Sequence, residues 1–312
     1  MKIAFIYAGQ GSQKVGMGQD FYEEYPEIRS VYDSAPVDFN LKKLSFEGPI
    51  EDLSKTEYTQ PCMLAMAIAI TKLLKKQGIV PEMLAGLSLG EYSALYASGV
   101  FDENTALNLI SFRGKVMEEA AKGIETQMAA IIGSESALIQ NACEEVEKGI
   151  VQITNYNCKG QYVVGGEKEA VEAACENILK AAPRSKVVKL NVSGPFHTPL
   201  MAPAAEKLKE KFHETVFLEE RIPVVYNLTG RTRDADKSIA EMLVEQVKNS
   251  VRFEETILFM QDQGIDTMIE IGPGKALSGF VKKTASAIKV YSVEDVNGLR
   301  EVVKALKGEE NE

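Results

Sequence analysis

Gly86-Leu87-Ser88-Leu89-Gly90 is the sharpest chemical signal in the chain. It fits the G-x-S-x-G pattern of a nucleophile elbow, with a short apolar run before it (Met83 to Leu87) and a helical stretch after it (Leu89 to Ser98). A serine on a sharp strand-to-helix turn projects its hydroxyl from the sheet edge. Glycines on either side remove Cβ atoms that would crowd the turn. The helix N-terminus offers N–H groups and positive potential to a developing oxyanion. The alternative is a Gly/Ser turn without chemistry; the strand-elbow-helix setting favours the nucleophile.

A serine nucleophile needs a general base, and the chain has only 2 histidines. His213 follows Phe212 on a strongly charged helix and reads as a solvated residue. His197 lies in Ser193-Gly194-Pro195-Phe196-His197-Thr198-Pro199, directly after an expected strand. Thr198 can cap the next helix and Pro199 suits its first turn. A histidine on a loop at a strand end is where α/β enzymes place catalytic groups, so His197 is the expected base. No Asp or Glu stands out to orient it, which leaves a backbone carbonyl or an amide side chain for that task.

Arg113 is out of place by charge. Spacing puts it on the apolar stripe formed by Ala106, Leu109, Ile110, Val116, Met117 and Ala120. A guanidinium facing a core must find an anion or bear a desolvation penalty. That anion is either a core Asp or Glu, or the carboxylate of a substrate gripped by two parallel hydrogen bonds. Snorkelling toward solvent is the third option.

The elements that must position these groups alternate as α/β. Lys2 to Tyr7 reads as a buried strand, Pro61 to Gln77 as a helix with Pro in its first turn, and Asp102 as the cap of a helix reaching about Ala121. From Met128 to Val192 the order becomes βαββαβ, the ferredoxin-like pattern. Afterwards a helix spans Pro199 to about Val216, a strand Pro223 to Leu228, and one or two helices Ser238 to Gln263. Thr267 to Ile271, Lys275 to Thr284, Ile288 to Tyr291 and Asp295 to Lys307 complete the alternation, and the 308–312 tail reads as frayed. The expected architecture is a large α/β-hydrolase-like domain, 1–124 and 193–312, with a ferredoxin-like small domain, 125–192, inserted.

Composition narrows the function classes. The chain has 312 residues and a formal charge of −10, which argues against nucleic-acid binding. Its 4 cysteines contain no C-x-x-C pair and read as buried thiols of a cytoplasmic protein. No metal site is expected from so few histidines and scattered cysteines. The longest apolar run, Cys62 to Ile70, is far short of the ~20 residues that cross a bilayer.

Taken together, GQGSQ (Gly9 to Gln13), GLSLGEYSAL at the elbow, RGKVMEEA, GPFH and IEIGPGK resemble the malonyl-CoA:acyl carrier protein transacylase family, in order and spacing, from Lys2 to about Lys307. The resemblance implies malonyl transfer through a malonyl-serine on Ser88, with His197 as base and the phosphopantetheine thiol of acyl carrier protein as acceptor. It further implies an oxyanion hole from Gln10 and the Leu89 N–H, and Arg113 on the malonyl carboxylate. Asn155 and Gln246 would line the site, and the backbone carbonyl at Gln246 would help orient the histidine. Malonyl-CoA is then a substrate and no cofactor is needed; a monomer without membrane or nucleic-acid partners is expected.

Two positions depart from the family's usual pattern. Leu87 stands where a histidine commonly precedes the serine, and Ala8 where a proline is common. In related polyketide acyltransferases a bulky aromatic just before the histidine accompanies malonyl over methylmalonyl, so the resemblance implies malonyl choice at Phe196, the alternative being simple loop packing; a one-methyl difference is worth about 1–3 kcal/mol. Because the carrier protein is acidic, local basic patches are expected among Lys275, Lys282 and Lys283, Lys186 and Lys189, or Arg231 and Arg233. The competing functions are a serine hydrolase, a polyketide-loading acyltransferase acting in trans, and a carrier-protein-binding module without catalysis.

Overall fold

Strand β1 (Ile3–Tyr7) is buried along its whole length. The protein's structure, a computed structural model, describes residues 1–190 and 194–308. In chain order the further strands are β2 (Met83–Gly86), β3 (Thr126–Ile132), β4 (Val151–Cys158), β5 (Gln161–Glu167), β6 (Lys186–Leu190), β7 (Val224–Tyr226), β8 (Arg231–Thr232), β9 (Val251–Arg252), β10 (Thr267–Ile271) and β11 (Lys289–Val293). They form two sheets.

The larger sheet has the order β11-β10-β1-β2-β7-β8. All its pairings are parallel except β7 with β8. Buried parallel strands read as apolar runs, as β1 and β2 do; β10 is equally buried although it carries Thr267 and Glu270. The chain leaves β1 for β2 on one side and returns to β10 on the other. Their carboxyl ends therefore open into the crevice at a topological switch point, where α/β sheets bind ligands.

The smaller sheet runs β6-β3-β5-β4-β9. Its first four strands, with helices Ser136–Glu144 and Lys168–Ala181, have the antiparallel order of a split βαβ unit. Its fifth strand comes from elsewhere in the chain: β9 pairs parallel with Asn155 and Tyr156 of β4. The stretch Ser238 to Gln263 is consequently two helices, Ile239–Gln246 and Phe253–Asp262, on either side of β9. Asn191 and Val192, the expected end of the last small-domain strand, lie outside the described residues, as do the 192/193 boundary and the end of the C-terminal tail.

Two other expectations shift. The helix expected from Pro61 runs Thr56–Lys76, with Pro61 inside it and 16 of its 21 residues buried. Proline forfeits one backbone hydrogen bond there, and tertiary burial outweighs that loss. The helix after His197 begins with a 3₁₀ turn, Pro199–Met201, and its α-helical part, Ala202–His213, ends short of Val216. Between the first strand and Thr56 the chain forms four short helices, Gln19–Glu24, Arg29–Asp33, Leu41–Glu47 and Ile50–Leu53. These are too brief to show a helical period in sequence. All four cysteines are buried and unpaired.

The Thr56–Lys76 helix packs against the Glu103–Ala121 helix. They meet tightly at Gly114, where a Cβ would sit 2.8 Å from the Thr56 carbonyl oxygen and 2.9 Å from Glu57 Cα. Both obstacles are backbone, so neither can swing aside. Gly114→Ala is expected to cost about 1–3 kcal/mol by overpacking, read as a lower urea midpoint. An unchanged midpoint would show that this crossing has slack.

Candidate active site

The G-x-S-x-G turn is built by backbone clearance. A Cβ on Gly86 would lie 2.0 Å from the Gly90 carbonyl, and one on Gly90 would lie 2.3 Å from the Tyr7 carbonyl oxygen. Only glycine lets β1, β2 and the Gly90–Ser98 helix converge so tightly. Between them Ser88 adopts φ = 54°, the left-handed region that side chains avoid. Among the described residues the other non-glycine residue with positive φ is His197, at 62°. The two strained residues face each other: Ser88 Oγ and His197 Nε2 are 2.7 Å apart.

The other nitrogen of His197 settles its tautomer. Nδ1 lies 2.9 Å from the Gln246 carbonyl oxygen and 3.2 Å from that of Asn249. Carbonyls only accept, so the proton sits on Nδ1 and the Nε2 lone pair faces the serine hydroxyl. Gln246 ends its helix, where backbone carbonyls have no helical partner. Burial, aided by the Arg113 charge and opposed by those carbonyls, pushes the His197 pKa down to about 4. The imidazole is therefore neutral at neutral pH. His213 is exposed at the end of its helix, remote from this arrangement.

Arg113 is completely buried. Its guanidinium donates to Gln60 Oε1 at 2.9 Å, Gln246 Oε1 at 3.0 Å and Ser88 Oγ at 3.2 Å. It lies over the Tyr92 ring, 5.4 Å from the centroid. Among the described residues no carboxylate comes within ion-pair distance, and Nε has no hydrogen-bond partner. The core salt bridge and the snorkelling side chain are both excluded by this geometry. What is left is a buried cation beside the serine hydroxyl, hydrogen-bonded to two neutral amides, with the buried Glu91 carboxyl near but outside ion-pair range.

The remaining expected residues converge on the same place. Gln10, Phe196 and Asn155 line one cleft of about 490 Å³ with Ser88 and His197. Gln10 is tethered by a bond from Nε2 to Thr56 Oγ1 at 3.0 Å. Asn155 and Asn157 of β4 both line the cleft, beside an irregularity in the strand's pairing at Tyr156–Cys158. The Leu89 N–H lies at the helix start and makes no hydrogen bond among the described residues, so it is available to an oxyanion. Leu87 also lines the cleft, with Leu277 and Phe280.

Four residues that matter here were not expected from sequence. Gln60 and Gln152 contact Arg113 and the His197 carbonyl, the latter at 2.8 Å. Asn227 and Glu91 are buried beneath the elbow. Gln60 was hidden by reading Pro61 as a helix start. Glu91 lies inside the quoted GLSLGEYSAL stretch, where its type alone gives no role, and Gln152 and Asn227 sit at unremarkable positions.

The surface patches differ in character. Arg233 is mostly covered and forms ion pairs with Glu219 and Glu220, so it is no free basic site. Lys189 pairs with Glu172, and Lys275 lies 3.7 Å from Glu294. Lys186, Lys282 and Lys283 are exposed, the last bonded to Gln161. Among the described residues there is no cluster able to hold a metal ion and no helix long and apolar enough to cross a membrane.

The acyl transferase domain family matches residues 4–307. The chain is 41% identical to the malonyl CoA-acyl carrier protein transacylase of Bacillus subtilis, over 100% of this chain and 99% of that one. It is 41% identical to the protein of the same name from Escherichia coli K12, covering 96% and 97% of the two chains. The crystal structure of malonyl CoA-acyl carrier protein transacylase from Clostridium perfringens superposes with a TM-score of 0.94 at 39% identity, covering 98% of each chain. A malonyl-transacylase solved with a type II polyketide synthase acyl-carrier protein gives 0.93 at 37% identity, covering 99% and 100%.

The depressed His197 pKa has a kinetic sign. Proton removal at Nε2 needs the neutral imidazole, which persists as pH falls until about 4. The value of kcat/KM for acylation, which reports the free enzyme, is expected to stay level from pH 8 to about 5 and to fall only below that. A midpoint at or above the usual 6.5 would mean that the base is far better solvated than this geometry allows.

Proposed function

The chain belongs to the acyl transferase domain family, and from that membership and the site we infer that it moves the malonyl group of malonyl-CoA to the phosphopantetheine thiol of acyl carrier protein, as in fatty-acid synthesis. The observation that carries the residue roles is the cation of Arg113 held at the serine hydroxyl without a carboxylate partner. A hydrolase of simple esters has no use for such a group. An acyl chain ending in a carboxylate supplies its missing partner.

In this reading His197 Nε2 takes the Ser88 proton as Oγ attacks the thioester carbonyl. The Leu89 N–H, with Gln10, meets the oxyanion. Collapse expels the coenzyme A thiolate, which receives the proton from His197, and leaves malonyl-Ser88. The carrier-protein thiol then repeats the sequence in reverse. Arg113 moves its hydrogen bonds from Ser88 and Gln246 to the malonyl carboxylate, holding the acyl group while thiols exchange. Asn155 lines the acyl chamber, Gln246 carries both Arg113 and His197, and Phe196 narrows the chamber toward malonyl. All these groups come from one chain, which suits a monomer acting in the cytoplasm without a cofactor. Of the basic candidates for the acidic carrier protein, the exposed set of Lys282, Lys283 and Lys275 flanks the cleft wall formed by Ala276, Leu277 and Phe280.

Intact-mass measurement after mixing with malonyl-CoA tests the reading. Wild type is expected to gain one malonyl group, lost again on adding holo acyl carrier protein, while Ser88→Ala gains none. Free malonate appearing without malonylated carrier protein would mark a hydrolase instead.

A further inference from the structure

The strained φ of Ser88 is not maintained by the elbow alone. Asn227, the residue directly after β7, reaches across from the neighbouring strand. Its Oδ1 accepts the Ser88 N–H at 2.7 Å, and its Nδ2 donates to the Gly86 carbonyl at 2.6 Å. One side-chain amide thus bridges the two peptide groups that flank Leu87. Its orientation is forced by its partners, since an N–H must meet the oxygen and a carbonyl must meet the NH₂. On the far side of Ser88 its carbonyl accepts from the Glu91 N–H at 3.1 Å and from Gln246 Nε2 at 3.0 Å. Both peptide planes that define the Ser88 torsions are clamped.

Asn227 is itself pinned. It is fully buried, its N–H donates to Glu91 Oε2 at 2.6 Å, and its carbonyl accepts from the Arg252 N–H at 2.8 Å. Every polar group it has is used. Glu91 is also fully buried; its Oε2 accepts this N–H, and its Oε1 finds no partner among the described residues. Burying a carboxyl group with one oxygen unpartnered is unfavourable, so its retention there calls for a function.

We propose that Asn227, fixed by Glu91, is the positioning residue that holds Ser88 Oγ and the Leu89 N–H in register with the thioester carbonyl. Neither residue touches substrate. The amide is specifically required, because a carboxylate could accept from Ser88 but not donate to Gly86. The inference rests on Ser88 being the acylated nucleophile.

The test is single-turnover acylation by malonyl-CoA, with amplitude and rate constant read separately by quenched-flow mass measurement. Asn227→Asp is expected to slow the limiting rate constant by on the order of 100-fold, the scale of an ångström-sized misplacement. Its half-saturating malonyl-CoA concentration should stay within about threefold, since Arg113 is untouched. A merely structural role would lower the amplitude, the folded fraction, and leave the rate constant alone. Glu91→Ala and Glu91→Gln read the same device if Asn227→Asp does not fold. Glutamine can still accept the Asn227 N–H, so it should be at least about tenfold faster than alanine. Rate constants within threefold of wild type in Asn227→Asp, or equal rates in the two Glu91 variants, would overturn the proposal. Wild type run alongside separates the two levels: no malonyl on wild-type Ser88 would defeat the nucleophile reading itself.

Discussion

A buried guanidinium with no carboxylate in ion-pair contact among the described residues is the constraint around which the site is arranged. Removing an ion from water costs several kcal/mol even after local relaxation. Arg113 recovers part of this through hydrogen bonds to Gln60, Gln246 and Ser88 Oγ and through the face of Tyr92. Bonds to charged groups contribute about 1.5–3 kcal/mol each. Had one of the amides been a carboxylate, the cation would be neutralised and the site closed to an anionic acyl group. The choice of Gln at both positions satisfies the hydrogen-bonding needs of Arg113 and leaves its charge for a ligand.

The same preference for amides and carbonyls extends to the nucleophile and base. His197 is oriented by two backbone carbonyls instead of an aspartate. Buried, and next to a permanent cation, it stays neutral until well below neutrality. Its carbonyl is held by Gln152 of β4, and the Asn249 that contacts it leads into β9, the strand that extends the smaller sheet. The base therefore sits where the chain after Gln246 adds β9 to the smaller sheet, and the serine where β1 and β2 meet the helix behind them. Glycines at 86 and 90 permit that meeting sterically, and hydrogen bonds from Asn227 and Gln246 hold its unusual torsion.

Local rules made part of this legible in sequence. The elbow shows itself because strand, glycine spacing and helix are contiguous. With two histidines in the chain and one of them on a charged helix, His197 follows by elimination. Arg113 betrays itself by sitting on an apolar stripe. The alternation of elements and the βαββαβ order follow from period and punctuation. Asn227, Gln60 and Gln152 could not be found this way. Their partners lie 139, 53 and 45 residues away, and an amide in a strand, a helix or a loop has no distinctive pattern. Pro61 misled for a related reason, since burial along a 21-residue helix overrode a strong local break signal. The two-residue β9 is too short for any periodicity to reveal.

The account turns on whether the Arg113 charge is reserved for the acyl carboxylate. The direct measurement compares kcat/KM for malonyl-CoA with that for its analogue bearing a neutral carboxamide in place of the carboxylate, in wild type and in Arg113→Ala. A charged hydrogen bond of about 1.5–3 kcal/mol corresponds to roughly 10- to 150-fold in rate. The account predicts discrimination of about that size in wild type and its collapse toward unity in the variant. Equal discrimination by the two proteins would contradict it, and would mean that the buried cation serves the fold and not the substrate.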